Sequence, residues 1–297
     1  YQPEAYISVT DTYIEKDLQI NEEVDKLRLK ATSSLLSGRR DIIIVATVSC
    51  IFGMGNPEDY KAGIIRIQKS QNYPRNQFLY RLVDILYSRT ESDLNRGQFR
   101  VKGDTVDIRL PYVDYGLRIH FFGDQIEQID EIEISSGKRI TSLDSAAIFP
   151  ANLYVAPKDR LKGILHTIEN ELFEQKKYFE SEKKYAEAKR IEERTQFDLE
   201  MMRELGYCSG IENYSRFFDG RSIGTRPFCL LDYFPDDYLL IVDESHVTIP
   251  QIRGMWGGDR ARKMNLVQFG FRLPSALDNR PLSFEEFENQ INQVIYA

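Results

Sequence analysis

Two uninterrupted apolar runs, DIIIVATVS at 41–49 and YLLIV at 238–242, constrain the fold of this chain more than any other feature. A strand with one wet face alternates apolar and polar residues, whereas a run without alternation reads as a strand covered on both faces. Such strands belong to α/β sheets flanked by helices. The flanking sequence agrees. EEVDKLRLKATSSLL precedes the first run, with Asn21 as its cap, Val24, Leu27 and Ala31 on one face, and Gly38 at its end. CIFGMGNPEDY follows as a loop, and Asn56-Pro57 opens another helix. After the second run, Gly257-Gly258 and Pro274 mark loops. SFEEFENQINQV then reads as a helix with a serine cap and a glutamate three places on, and the terminal VIYA starts a further strand.

Between the two runs the grammar changes twice. From 98 to 142 the chain alternates, as QFRVKGDTVDIRL, GLRIHFFGDQIEQIDEIEI and SGKRI, with turn signals at Gly103-Asp104, Gly123-Asp124 and Ser136-Gly137. This predicts an antiparallel meander within a separate module of about 90 residues. From 158 to 206, Leu161, Ile164, Leu165, Ile168 and Leu172, and then Ala188, Ile191, Thr195 and Met202, recur at helical spacing. Mixed charges lie between them, so a helical hairpin with solvated outer faces is expected. The chain before Asn21, QPEAYISVTDTYIEKD, reads as extended, with tyrosines at 1, 6 and 13.

The bulk properties narrow the function classes. There are 297 residues, more than one core usually serves, with 42% apolar and 29% charged residues. No run of about 18 apolar residues occurs, and YQPEAYISV offers neither a basic start nor an apolar signal core, so no membrane span and no export signal are expected. Cys50, Cys208 and Cys229 are scattered, as are His120, His166 and His246. They form no zinc spacing and no even disulfide framework, which fits a reducing cytoplasm. A net charge of -7 disfavours indiscriminate coating of nucleic acid but leaves room for a local basic groove.

The chemistry concentrates where YLLIV ends, in Asp243-Glu244-Ser245-His246. In open α/β sheets ligands gather at the carboxyl ends of strands. Nucleotide hydrolysis needs a hard oxygen ligand for Mg2+ and a second group to orient the attacking water. Asp243 and Glu244 can supply both, with Asp243 on the metal side and Glu244 towards the water. His246 could relay the nucleotide state to the nucleic-acid side. The alternative is an acidic pair that caps the next turn. The phosphate loop G-x-x-x-x-G-K-[ST] is absent from these residues. The Gly137-Lys138 pair is followed by Arg139, has Ile132 where the first glycine should stand, and lies on a hairpin turn. These residues therefore hold half of a nucleotide site.

The D-E-S-H block after such a strand resembles motif II of superfamily-two helicases. Longer blocks carry a closer resemblance: YQPEAYI, DTYIEKD, ATVSCIFGMGNPEDY, RTQFDLEMMRELGYCSGIENYSR, LLDYFPDDYLLIVDESHVTIPQIRGM, GDRARK and GFRLPSALDNRPLSFEEF. In this order they resemble the UvrB family, the damage-verifying subunits of bacterial UvrABC excinucleases, over nearly the whole chain. The resemblance implies an α/β fold: a partial RecA-like P-loop NTPase domain of superfamily-two helicase type, interrupted by an antiparallel β-rich module and a helical hairpin module. It places the returning arm of a DNA-inserting β-hairpin at 1–21 and parts of the RecA-like domain at 22–61 and 227–297. The UvrA-interaction module falls at 62–156 and the helical module at 157–226. The phosphate loop would lie upstream and the second RecA-like domain downstream.

The resemblance also implies ATP and Mg2+ as cofactors, with Asp243 holding the metal through water. The partners would be UvrA, UvrC through regions outside this chain, and damaged double-stranded and single-stranded DNA, in the cytoplasm. Arg89, Arg100 and Lys102 match the basic positions of the UvrA module. Lys102 stands where arginine is expected, which keeps the charge but loses the planar fork. Tyr1, Tyr6 and Tyr13 would stack on bases or pack within their own sheet. Arg260, Arg262 and Lys263 of GDRARK, and Arg216, would touch DNA phosphates or form internal salt bridges. Ser49 begins a loop that could touch the DNA backbone. Two further readings are a non-catalytic UvrA-binding module of the transcription-repair coupling factor type and a processive helicase. The intact acidic block and the hairpin arm argue against the first.

Overall fold

A computed structural model describes residues 3–15, 22–156 and 158–297. The first elements are β1 (Ala5–Ile7), β2 (Thr12–Ile14), α1 (Glu22–Leu35), α2 (Pro57–Ala62), β3 (Ile65–Gln68) and α3 (Arg75–Asp84). Strands β4 (Ser88–Arg89), β5 (Gln98–Lys102), β6 (Thr105–Arg109), β7 (Tyr115–Phe122), β8 (Gln125–Glu133), β9 (Arg139–Leu143) and β10 (Ser145–Ile148) follow. Then come α4 (Lys158–Ser181), α5 (Tyr185–Leu205), α6 (Ser215–Phe218), β11 (Leu239–Val242), α7 (Ser245–Gln268), α8 (Phe284–Gln290) and β12 (Gln293–Tyr296). The mixed α/β chain divides into two compact units, one of residues 21–37 and 58–157, the other of 1–20, 38–57 and 158–297.

The smaller unit is built on the meander. Its six strands run in the order β4-β5-β6-β7-β8-β9, antiparallel from β5 onward, and β3 pairs with β10. Gly103, Gly123 and Gly137 take φ values of 58°, 58° and 66° at the three anticipated turns, where a side chain would be strained. Alternation sends Val106, Ile108, Leu117, Ile119 and Phe121 inside. On α3, Phe78 meets Phe121 with ring centroids 5.7 Å apart, so the helix covers that face.

Helix α1 joins this unit, although its position before the 41–49 run placed it in the α/β part. Lys26 Nζ lies 3.0 Å from Asp114, and Arg96 donates to the Glu22 carbonyl at 2.9 Å. Its buried face is Leu29, Thr32, Ser33 and Leu35, while Val24 and Leu27 are exposed. The buried face is therefore rotated away from Val24 and Leu27 of the expected stripe, while Ala31 is half-buried. Thr32 is buried because its hydroxyl bonds the Leu29 carbonyl at 3.0 Å, which satisfies the polar group inside the helix. Asn21 lies outside the described residues.

In the larger unit, α4 and α5 form the anticipated hairpin, tied by Lys176–Glu192 at 2.7 Å, and α5 ends at Gly206 in the left-handed region. Strand β11 pairs in parallel with β12. Ser283 caps α8 in a reciprocal box with Glu286, but the helix ends at Gln290, because the chain turns there into β12.

Three expectations change. Residues 41–47 are not a strand, and Ile43 and Val45 are 91% and 95% exposed. A β-branched run becomes a strand only against a pairing neighbour, and among the described residues none pairs with it. For the same reason β11 buries only Val242 rather than both faces. Gly257 and Gly258 lie inside α7, not in a loop, because Ile252, Leu266 and Val267 on the opposite side anchor the helix in the core. Among the described residues no helix is long and apolar enough to cross a membrane.

Candidate functional site

The acidic pair occupies an elbow. Strand β11 ends at the buried Val242, Asp243 follows, and Glu244 turns the chain with φ 47° and ψ 47° into α7. A non-glycine residue in this left-handed region is sterically disfavoured, and such positions gather at functional sites. The elbow is closed by hydrogen bonds: Ser245 N–H to the Ala297 carbonyl at 2.9 Å, and Ala297 N–H to the Val242 carbonyl at 3.0 Å. Both acidic side chains point into solvent. Asp243 Oδ1 accepts the Glu244 N–H at 3.0 Å. His246 Nδ1 lies 3.5 Å from Glu244 Oε2, and both side chains are about three-quarters exposed (75% and 73%). The donor set is two open carboxylates at a strand's carboxyl end, which fits a hydrated Mg2+. The three residues proposed for catalysis are therefore together.

The loop from Ser49 is fastened to the same unit. Ser49, exposed on a short 3-10 turn, shares a hydrogen bond with the Thr47 hydroxyl at 2.7 Å. Met54 N–H donates to Phe228 at 2.7 Å and Leu282 N–H to Ile51 at 3.0 Å. A side chain at Gly53 would come within 2.5 Å of Asn279 Oδ1 and 3.3 Å of Pro227, so Asn279 would have to shift to admit one.

The hairpin arm is packed by its aromatic residues. Tyr6 and Tyr13 face each other across β1 and β2. The Tyr6 ring lies 4.7 Å from Phe269 and 4.8 Å from Phe271. Tyr13 stacks on Phe271 at 4.5 Å with the planes 1° apart. Tyr6 donates to Asp11 at 2.7 Å and Tyr13 to Glu4 at 2.6 Å. Burial, with that bond to Glu4, pushes the Tyr13 phenol up to about 12. Packing, the alternative held for these two tyrosines, is thus what the rings do in this structure. Tyr1 lies outside the described residues.

Glu4 and Arg272 were missed by sequence reasoning. Glu4 is buried and accepts from Arg272 Nε at 2.9 and 3.1 Å, with Arg194 at 3.5 Å. Burial opposes the Arg272 charge, but Glu4 outweighs it and raises its pKa. The available signal is an acid placed between two tyrosines in YQPEAYI.

The basic candidates separate by burial. Arg216 is buried between Asp278 at 2.6 Å and Glu171 at 3.1 Å. Lys263, with its pKa pushed down by burial, sits 3.1 Å from Asp259. Arg262 meets Asp259 at 2.5 Å and also donates to the Glu4 carbonyl. These three form the internal salt bridges that stand as the alternative to phosphate contact: Arg216 and Lys263 are buried, where a cation is tolerable only when paired, and Arg262 is partly exposed. Arg260 remains exposed, its guanidinium 5.6 Å from the Trp256 ring centroid.

In the β-rich unit, Arg89 is exposed beside Glu91 at 2.8 Å, and Lys102 is exposed. Arg100 is largely taken up by Asp107 at 3.3 Å. Register places Arg100, Asp107 and Arg118 side by side on β5, β6 and β7, and Arg118 grips Asp107 at 2.6 and 3.0 Å. Burial pushes the Asp107 carboxyl up, but the two arginines outweigh it and hold it below its usual value. A carboxyl lowered in the folded state stabilises above its ordinary pKa of about 4 and loses that contribution as pH falls through the lowered value. Asp107→Asn is therefore expected to lower the melting temperature at pH 7 and to flatten its decline below about pH 4. Melting curves across an acid series check this; an unchanged acid slope would refute it.

Comparison with known proteins fits this division of the chain. A family model described as "UvrB interaction domain" matches residues 65–154, and one described as "UvrB third helical domain" matches 159–220. UvrABC system protein B of Cytophaga hutchinsonii is 62% identical over 297 residues, all of this chain and 44% of that protein. The same-named protein of Bacteroides fragilis is 60% identical over the same share, and that of Natranaerobius thermophilus 54% identical, with 45% of it covered. The chain thus spans less than half the length of these relatives.

Proposed function

We propose, from the premise that this chain belongs to the UvrB family, that it serves nucleotide excision repair as part of an ATP-driven, damage-verifying subunit. The observation that carries the reading is the elbow, where β11 and a left-handed Glu244 present two open carboxylates at the start of α7. Asp243 would hold Mg2+ through water, and Glu244 would orient the water that attacks ATP. Magnesium, when bound, neutralises charge developing on the phosphates. The phosphate-binding loop would come from the part of the relatives' length that this chain does not cover, completing a RecA-like domain. UvrC would act through regions outside these residues.

On this reading 62–156 is the UvrA-docking module, 157–226 the helical module and 1–21 the returning arm of the DNA-inserting hairpin. Arg260 and Ser49, both exposed, remain available to DNA backbone. The intact acidic block counts against a non-catalytic UvrA-binding module. For UvrA docking, Arg89 and Lys102 offer exposed charge, with Arg100 beside them in a cross-strand pair. Arg89→Glu with Lys102→Glu in the full-length protein is expected to weaken UvrA binding about tenfold or more, each reversed contact being worth roughly 1 kcal/mol. Calorimetric titration measures it. An unchanged isotherm with unchanged melting would remove this face from the interface.

A further inference from the structure

We propose that Thr248 is a positioning residue for the Asp243–Glu244 elbow, made necessary by Pro250. The inference rests on the reading of that elbow as the magnesium-nucleotide site. The chain reverses from β11 into α7 through one left-handed residue, Glu244, so the turn needs fastening from outside itself. On one side the fastening is backbone, through Ala297 to Ser245 and Val242. On the other it is a side chain: Thr248 Oγ1 donates to the Asp243 carbonyl at 2.9 Å. The Thr248 and Val247 N–H groups both reach the Glu244 carbonyl at 2.9 Å, so the first turn of α7 grips both acidic residues.

Pro250 lies inside α7, just beyond this turn. It has no N–H for the His246 carbonyl, and its ring crowds that carbonyl. The first turn is accordingly less firmly tied to the body of α7, and the threonine hydroxyl ties it to the strand end instead. Because Asp243 Oδ1 accepts the Glu244 N–H at 3.0 Å, the tilt of the peptide joining the two acids also sets the aim of the Asp243 carboxylate. Outer contacts of this kind orient metal ligands, and losing one typically costs ten- to a hundredfold in metal affinity. A valine at 248 keeps the branched shape but removes the donor.

The test titrates Mg2+ against binding of a fluorescent ADP analogue to the full-length protein. Thr248→Val should raise the half-saturating Mg2+ concentration about tenfold or more, with analogue affinity at saturating Mg2+ retained. Thr248→Ser, which keeps the hydroxyl, should restore the wild-type curve. Thr248→Ala, a better helix former, repeats the measurement if valine impairs folding. Asp243→Asn is the control for the site itself. If Asp243→Asn shifts the curve and neither Val nor Ala does, the positioning role is overturned while the acidic site stands. If Asp243→Asn shifts nothing, the site reading falls and the positioning role falls with it. A serine variant as impaired as valine would also overturn it.

Discussion

Glu244→Gln in the full-length protein is expected to lower ATP turnover about a hundred- to ten-thousandfold, the usual contribution of a positioned proton acceptor, while nucleotide binding persists. Glutamine keeps the shape and the hydrogen-bonding reach but cannot take a proton or carry the charge. The substitution leaves the elbow intact, because the bonds that close it run through backbone atoms and Thr248, not through the Glu244 side chain. Among the described residues its carboxylate meets only the exposed His246 at 3.5 Å, so stability should not move. Single-turnover hydrolysis and a nucleotide-binding isotherm separate the two effects. Wild-type turnover would end the assignment of Glu244. Lost binding with normal folding would give it to the cofactor rather than to the water.

Arg216→Ala should destabilise the protein by about 3–5 kcal/mol, the typical result of removing one partner from a buried ion pair. Two acids depend on this one guanidinium, Asp278 at 2.6 Å and Glu171 at 3.1 Å. Burial already pushes the Glu171 carboxyl up, with Ser275 and Arg216 opposing it, so the loss of Arg216 leaves that carboxyl less well compensated. Asp278 would keep the Gly224 N–H at 2.9 Å but lose its cation. Urea unfolding of the variant measures the loss as a lower midpoint at unchanged slope. The phosphate-contact role read from sequence makes the opposite forecast: weaker DNA binding with an unmoved midpoint.

The sequence by itself determined the local elements and carried the resemblance to a family. The meander, its three glycine turns, the α4–α5 hairpin, the Ser283 capping box and β11 were all legible, because each depends on residues within a few places of one another. The acidic elbow was legible as residue types at the end of an apolar run. Its left-handed turn and the Thr248 tie were not, since neither leaves a periodic signal. Tertiary structure alone decided which charges are free. Arg262, Lys263 and Arg216 look like Arg260 in sequence, yet three are consumed by Asp259, Glu4 and Asp278 while one faces water. It also decided the fate of DIIIVATVS, for strand formation needs a neighbour to complete its hydrogen bonds, and α1 joined the β-rich unit through Asp114 and Arg96. The physical reason is common to these cases: burial and pairing are properties of what lies across from a residue, and a sequence records only what lies beside it.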